Sequence, residues 1–215
     1  GYPLMAWSIV VAKMAGVVPL VSTESESYGD IAMKFGGQVL IRPADLATSD
    51  AGDFGYLRHA FKSFPDAEEM VLLRPTTPLR RPGDIKRIIR YWEQENRYFT
   101  SLRSAHLESE KPWKLYRYDK PSRQYQFCMT DYDGDGYRPN GYIDIVKFLP
   151  TVHTLFSDLQ GPMADHDFVY GEHILALKTP NVGEVDLPED FDYIEWRLER
   201  YGSPVYEYLR NTYPL

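Results

Sequence analysis

Met70-Val71-Leu72-Leu73-Arg74-Pro75-Thr76-Thr77-Pro78-Leu79-Arg80 is the stretch from which the fold is read. Four apolar residues that stop at a Pro-rich turn predict a buried strand ending at a functional edge. Pro75 and Pro78 fix φ and stiffen the turn, which leaves the hydroxyls of Thr76 and Thr77 and the guanidiniums of Arg74 and Arg80 to face a ligand. Beyond it, Arg81-Pro82-Gly83-Asp84 opens a helix running to about Glu95, with Ile85, Ile88, Ile89 and Trp92 on one face. Strand, ligand-facing turn and helix together form the layout of α/β proteins that bind nucleotides at the carboxyl ends of their strands.

The same rhythm extends in both directions. Helices are predicted over 3–15, 26–35, 53–64 and 84–95, with short strands over 17–21, 39–41, 70–73 and 98–103. This βαβ alternation predicts a mostly parallel sheet covered on both faces. Between Lys111 and Asn140 the pattern changes to polar, Tyr-rich segments that suit antiparallel strands and loops. A last helix over 189–200 follows Pro188, with Phe191, Ile194, Trp196 and Leu198 among its apolar residues. There is no internal repeat and no second domain, so the 215 residues read as one unit with a substantial core.

Composition narrows the function. A charged content of 26% and a hydrophobic content of 43% are ordinary for a globular domain. The net charge of −7 and the lack of a basic tract disfavour a nucleic-acid polymer as partner. Arg42, Arg74, Arg80, Arg81, Lys114 and Arg138 gather instead near strand ends, which suits a small anionic substrate, although surface ion pairs account for some of them. The single Cys128 rules out an intramolecular disulfide and points to a reducing, cytoplasmic setting. The apolar stretch up to Val21 is interrupted by Lys13 and Pro19 and is too short to span a bilayer, so no membrane association is expected.

Glu184 and Asp186 lie two apart, and in an extended segment such side chains share a face. Two hard oxygen ligands fit Mg²⁺, while the same acids, with Glu189 and Asp190, also suit the positive end of a helix dipole. Asp131-x-Asp133-x-Asp135-Gly136 imitates half of a calcium loop, but Pro139 and Tyr142 occupy its ninth and twelfth positions. It is read as a turn-rich loop. His153, His166 and His173 lack metal-ligand spacing.

Several motifs in order resemble one family. Residues 72–80, LLRPTTPLR, are similar to the LLQPTSPLR signature of the cytidylyltransferases that activate sialic acid and related sugars. Arg138-Pro139-Asn140-Gly141-Tyr142-Ile143-Asp144-Ile145 is similar to that family's RPNGAIYI stretch, and Glu184-Val185-Asp186-Leu187-Pro188-Glu189-Asp190-Phe191 to its D-I-D-T-x-x-D ending. Residues 37–47, GQVLIRPADLA, and the opening Gly1-Tyr2-Pro3-Leu4-Met5-Ala6-Trp7-Ser8-Ile9 match as well. The resemblance covers residues 1 to about 200.

It implies a three-layer α/β/α Rossmann-like nucleotidyltransferase that transfers CMP from CTP to a sialic-acid-like 2-keto-3-deoxy sugar acid and releases pyrophosphate. Arg42 would lie beside the nucleotide, and Arg74, Thr76, Thr77, Arg80, Lys114, Asn140 and Asp144 toward the sugar. Arg138, Asn140 and Asp186 would serve catalysis, and Glu184 with Asp186 would hold Mg²⁺. The family is dimeric, and residues 146–170 would form the small dimerisation arm. The family's strand and Gly-rich phosphate loop would lie ahead of Gly1, outside this sequence, which leaves a non-catalytic sugar-acid-binding homologue as the alternative. Arg74 where Gln is usual, Asp144 where Tyr is common, and residues 129–137 in place of an R-Q-x-L-P-x run argue against simple N-acetylneuraminate specificity. A cytidylyltransferase for 3-deoxy-octulosonic acid is the remaining alternative.

Overall fold

The structure, a computed structural model, describes residues 1–48, 52–107, 116–119, 124–127, 137–148, 169–171 and 173–214. Helix α1 (Leu4–Ala15) follows Pro3 and buries Ala6, Trp7, Ile9, Val10 and Val11. It ends at Gly16, whose φ of 84° lets its N–H reach the carbonyls of Ala12 and Lys13. That cap and Pro19 delay strand β1 to Leu20–Thr23, later than the expected 17–21. Ser25 caps α2 (Glu26–Lys34), and β2 (Gln38–Ile41) then pairs parallel with β1. After α3 (Asp53–Ser63) come β3 (Glu69–Leu72) and α4 (Pro82–Glu95). Helix α4 buries Ile85, Ile88 and Trp92 along one stripe, as the spacing predicts.

Strand β4 (Ser101–Leu107) starts later than expected because Asn96–Tyr98 form a 3₁₀ turn. Two short strands, β5 (Tyr116–Asp119) and β6 (Gln124–Phe127), pair antiparallel, in keeping with the reading of that Tyr-rich region. Strand β7 (Tyr137–Lys147), β8 (Ile174–Lys178), α5 (Asp190–Tyr201) and α6 (Pro204–Thr212) complete the described elements. The four-stranded sheet has the order β3-β7-β4-β8. Strand β7 runs against both β3 and β4, whereas β4 and β8 are parallel, so β3, β4 and β8 share one direction.

Alternation along β7 sends Ile143 and Ile145 to one face and Asp144 and Val146 to the other. The first face packs on α1, α4 and α6 through Val10, Ile85, Trp92 and Leu209. The second meets Phe54, Leu57 and Phe61 of α3. The result is helix, sheet and helix in three layers. In α5 only Ile194 is buried, while Phe191 and Trp196 are exposed.

No hydrogen bond joins β1 to β3 among the described residues, and the two edges face each other across a cleft of about 680 Å³. Ile9 and Ala12 of α1 line it on one side and Leu57 and Ala60 of α3 on the other, with Val21 and Val71 at the strand edges. The Ser8 hydroxyl donates to the Arg74 carbonyl at 3.3 Å, so α1 starts beside the carboxyl end of β3.

Candidate functional site

Three motifs far apart in sequence meet at the carboxyl end of β3. The Thr76 carbonyl accepts from the backbone N–H of Val185 at 2.7 Å, which lays the Glu184–Asp186 segment against the Pro-rich turn. The Thr77 hydroxyl, buried at 1% exposure, donates to Glu184 Oε1 at 3.5 Å. Gly141 stands against both, with φ of 59°; a Cβ there would come within 2.6 Å of Glu184 Oε1 and 3.3 Å of Thr77 Oγ1. The glycine of the Pro-Asn-Gly turn is therefore required by conformation and by close approach.

Asn140 fixes that turn from inside. Its Nδ2 donates to Thr179 Oγ1 at 2.9 Å, and its Oδ1 accepts from the N–H of Tyr142 at 3.2 Å. The residue is 4% exposed, and its contacts hold the backbone that presents Gly141. Arg138, two residues earlier, is exposed and pairs in register with His106 of β4.

Arg80 has a different place from the one expected. It has no exposed surface, and its guanidinium donates to five protein oxygens. These are the carbonyls of Tyr142, Thr77 at 2.7 Å, Arg74 at 2.8 Å and Gly141 at 2.6 Å, and the Ser8 hydroxyl at 3.1 Å. Burial draws its pKa below the usual guanidinium range, yet a group donating to five oxygens keeps its proton. Arg80 thus ties α1, the Pro-rich turn and β7 together and has no edge left for a substrate.

Arg74 is half-buried and doubly paired. One terminal nitrogen donates to Asp144 Oδ2 at 2.7 Å; the other donates to Asp53 and, at 3.2 Å, to the Tyr170 hydroxyl. Burial works against its charge, but Asp53 and then Asp144 outweigh it and hold the pKa above the usual range. Arg103 continues the network, its guanidinium lying 4.0 Å from the Tyr170 ring centroid and its Nε 3.9 Å from Asp144 Oδ1. Burial, then the Asp144 charge, pushes the Tyr170 hydroxyl up to about 12. The two departures noted in the sequence, Arg74 for Gln and Asp144 for Tyr, are therefore one ion pair. Asp53, Tyr170 and Arg103 escaped the sequence reading because each lies in a different element and carries no local motif.

Arg42 lines the cleft between β1 and β3, as does Arg74. Its guanidinium pairs with Glu24 at 3.2 Å and lies 5.7 Å from the Tyr56 ring centroid. Tyr56 in turn donates to Asp53 at 2.6 Å, which links the expected nucleotide side to the Arg74 network. Lys114 and most of the expected arm, residues 149–168, lie outside the described residues, as do Cys128, residues 129–136, His153 and His166.

Among the described residues no group of three or more His, Cys, Asp or Glu side chains gathers to hold a metal. The two-carboxylate set of Glu184 and Asp186 nevertheless fits a cation that takes its remaining ligands from phosphate and water. Burial, then the charge of Asp186, raises the Glu184 pKa, and a divalent cation between the two acids would relieve their repulsion. Asp190 fixes the bend at Asp186 by accepting the backbone N–H groups of Asp186 and Leu187 at 2.8 and 2.7 Å, which lowers its own pKa.

This fold is that of the α/β nucleotidyltransferases. A solved CMP:2-keto-3-deoxy-manno-octonic acid synthetase complexed with CTP superposes with a TM-score of 0.63 over 92% of this chain and 87% of its own, at 13% identity. No protein-family model matches the chain. By sequence the chain is similar to N-acylneuraminate cytidylyltransferases: the protein of that name from Escherichia coli O18:K1:H7 is 27% identical over 97% of this chain and 50% of its own length. A CMP-N,N'-diacetyllegionaminic acid synthase from Legionella pneumophila is 30% identical over 96 residues, 41% of each. The chain thus spans half or less of the curated relatives it matches. No described helix is long and apolar enough to cross a membrane.

Proposed function

We propose that this chain carries the cytidylyl-transfer site for a 2-keto-3-deoxy sugar acid of the sialic or legionaminic type. The observation that carries the reading is the convergence of the Pro-Thr-Thr-Pro turn, the Pro-Asn-Gly turn and the Glu184–Asp186 segment within hydrogen-bond reach. The sugar's anomeric hydroxyl attacks the α-phosphorus of CTP; the new O–P bond forms as the bond to the bridging β-phosphate oxygen breaks. Pyrophosphate leaves, and the hydroxyl proton passes to a base. The protein forms no bond of its own, so its work is positioning and charge neutralisation.

Glu184 and Asp186 are the residues that would hold Mg²⁺. When bound, the ion would neutralise charge on the transferring phosphoryl group. Thr77 and Gly141 set the Glu184 carboxylate in place, and Asp190 does so for Asp186. Arg42 would face the nucleotide from the cleft rim. Arg74, with both ends of its fork neutralised by carboxylates, would offer hydrogen bonds rather than net charge to the sugar, which supports a specificity set by hydroxyl or amide substituents. The cleft between β1 and β3 carries Arg42 and Arg74 on an otherwise largely apolar lining, which supports a nucleotide site there. A homodimer is part of the same proposal.

Replacing Asp186 with Ala tests the metal assignment. Turnover should fall below detection while thermal stability changes little, since the side chain is exposed. Near-normal turnover would sink it.

A further inference from the structure

A cavity of about 360 Å³ opens where the Pro-rich turn meets the junction of α5 and α6, and the transfer reaction makes no use of it. Arg80 and Arg81 line it from the turn, and Arg197, Tyr201 and Ser203 from the junction. Among the described residues that line it there is no carboxylate, although the chain carries a net charge of −7. Three guanidiniums around one hollow of an acidic protein make a local positive potential that suits an anion.

The charge of Arg80 is the main reason. It has no exposed surface, and all five of its acceptors are neutral oxygens. Among the described residues no carboxylate comes within ion-pair distance of it, and Asp144 and Glu184 act on it only from farther away. Buried charges are ordinarily paired, so this guanidinium lacks a counter-charge. Arg81 and Arg197 make no ion pair among the described residues either. Other contacts set their positions. The backbone N–H of Arg81 donates to the Tyr142 hydroxyl at 3.0 Å. Arg197 donates to the Tyr193 hydroxyl at 3.0 Å, and its guanidinium lies 5.7 and 5.5 Å from the rings of Tyr193 and Tyr201. It is thus ordered in advance with most of its N–H donors unused, which lowers the entropic cost of binding.

We infer that this cavity binds the phosphate group of a small phosphorylated molecule. A phosphate brings about two negative charges and acceptor oxygens in several directions, which matches forked donors arriving from the turn and from α5. A carboxylate brings a single charge in one plane. Leu79, Val182 and the Tyr201 ring leave apolar surface for the organic part of the molecule. The volume lies at the small end of ligand pockets and suits a monophosphate ester. Arg80 contributes charge, and Arg81 and Arg197 contribute the hydrogen bonds. Because Arg80 also holds the carbonyls of Thr77 and Gly141, an anion here would steady the turns that place Glu184. Binding requires neither CTP nor a metal.

Isothermal titration calorimetry of the protein at constant ionic strength tests this, with inorganic phosphate, ribose 5-phosphate and acetate as ligands and no nucleotide present. Both phosphates should bind, and acetate should not. Tighter binding of the ester marks a phosphorylated metabolite as the occupant; equal binding marks free phosphate. Arg81→Gln and Arg197→Gln should each weaken the affinity about ten-fold, the loss of one charge-assisted hydrogen bond, without changing the melting temperature of the free protein. Arg42→Gln, in the cleft between β1 and β3, should bind phosphate as the parent does. Affinity unchanged in both R81Q and R197Q would overturn the inference, as would acetate binding as tightly as phosphate. Loss in R42Q alone would also overturn it, by placing the anion in the cleft, and so would the absence of any phosphate binding.

Discussion

Asp144 is 1% exposed, and its charge is offset mainly by Arg74, which donates to it at 2.7 Å, with the Tyr170 hydroxyl donating at 3.2 Å. Replacing Arg74 with Gln should therefore cost about 3 kcal/mol or more, the penalty for a buried charge left without its partner. Arg74→Gln combined with Asp144→Asn should recover part of that loss, giving an interaction energy of about 1–3 kcal/mol in urea denaturation. Strict additivity would mean that the pair is not coupled. Glu184 gives a test with a sign. Its pKa is raised in the fold, so the folded protein keeps this proton to a higher pH than the unfolded chain does. The stability linked to that proton is complete below the ordinary Glu range and is lost as pH rises through the raised value. Glu184→Gln should thus melt progressively above the parent as pH rises from about 4 to about 8 without added metal, with the curves meeting at the acid end. A difference independent of pH would contradict the assignment. At this scale the sequence marked the motifs of Thr77, Asn140, Glu184 and Asp186, and the structure brings those segments together. The sequence misjudged Arg80, whose acceptors on Gly141 and Tyr142 lie 61 and 62 residues away and leave no local trace.

The facing edges of β1 and β3 distinguish two kinds of strand. Among the described residues, strands β7 and β4 are hydrogen-bonded on both sides, whereas β1 and β3 each have one neighbour. Backbone amides in 20–23 and 69–72 of the chain should exchange with deuterium well before those in 101–105 and 143–146. Equal protection would mean that the cleft is closed in solution. The helices from α1 to α4 were legible because apolar spacing, Pro starts and Gly or Ser caps agree with one another. Strand β7 was not read as a central strand because Pro139 and Gly141 argue against one; a register shift between Arg103 and Ala105 of β4 accommodates them. Helix α6 was missed although Ser203 and Pro204 signal its start: the Ser203 hydroxyl accepts from Tyr206 N–H at 3.3 Å. On α5 only the Ile194 and Leu198 stripe turns inward, a choice among the four apolar residues that the sequence left open.

For the whole molecule, fold and ordered motifs support the proposed cytidylyl-transfer site, in a chain that spans half of its Escherichia coli relative. The site's charges are largely satisfied internally: Arg80 by five oxygens, Arg74 by two carboxylates. Such a frame is rigid before substrate arrives, which is what in-line transfer demands. The central claim is tested most directly by mass spectrometry of the protein incubated with CTP, Mg²⁺ and a panel of eight- and nine-carbon keto-deoxy acids. The account predicts a CMP–sugar conjugate for at least one acid of the panel, with pyrophosphate released in equal amount and no conjugate from Asp186→Ala. A folded protein that binds a sugar acid yet leaves CTP intact would contradict it and identify a homologue that binds without catalysing.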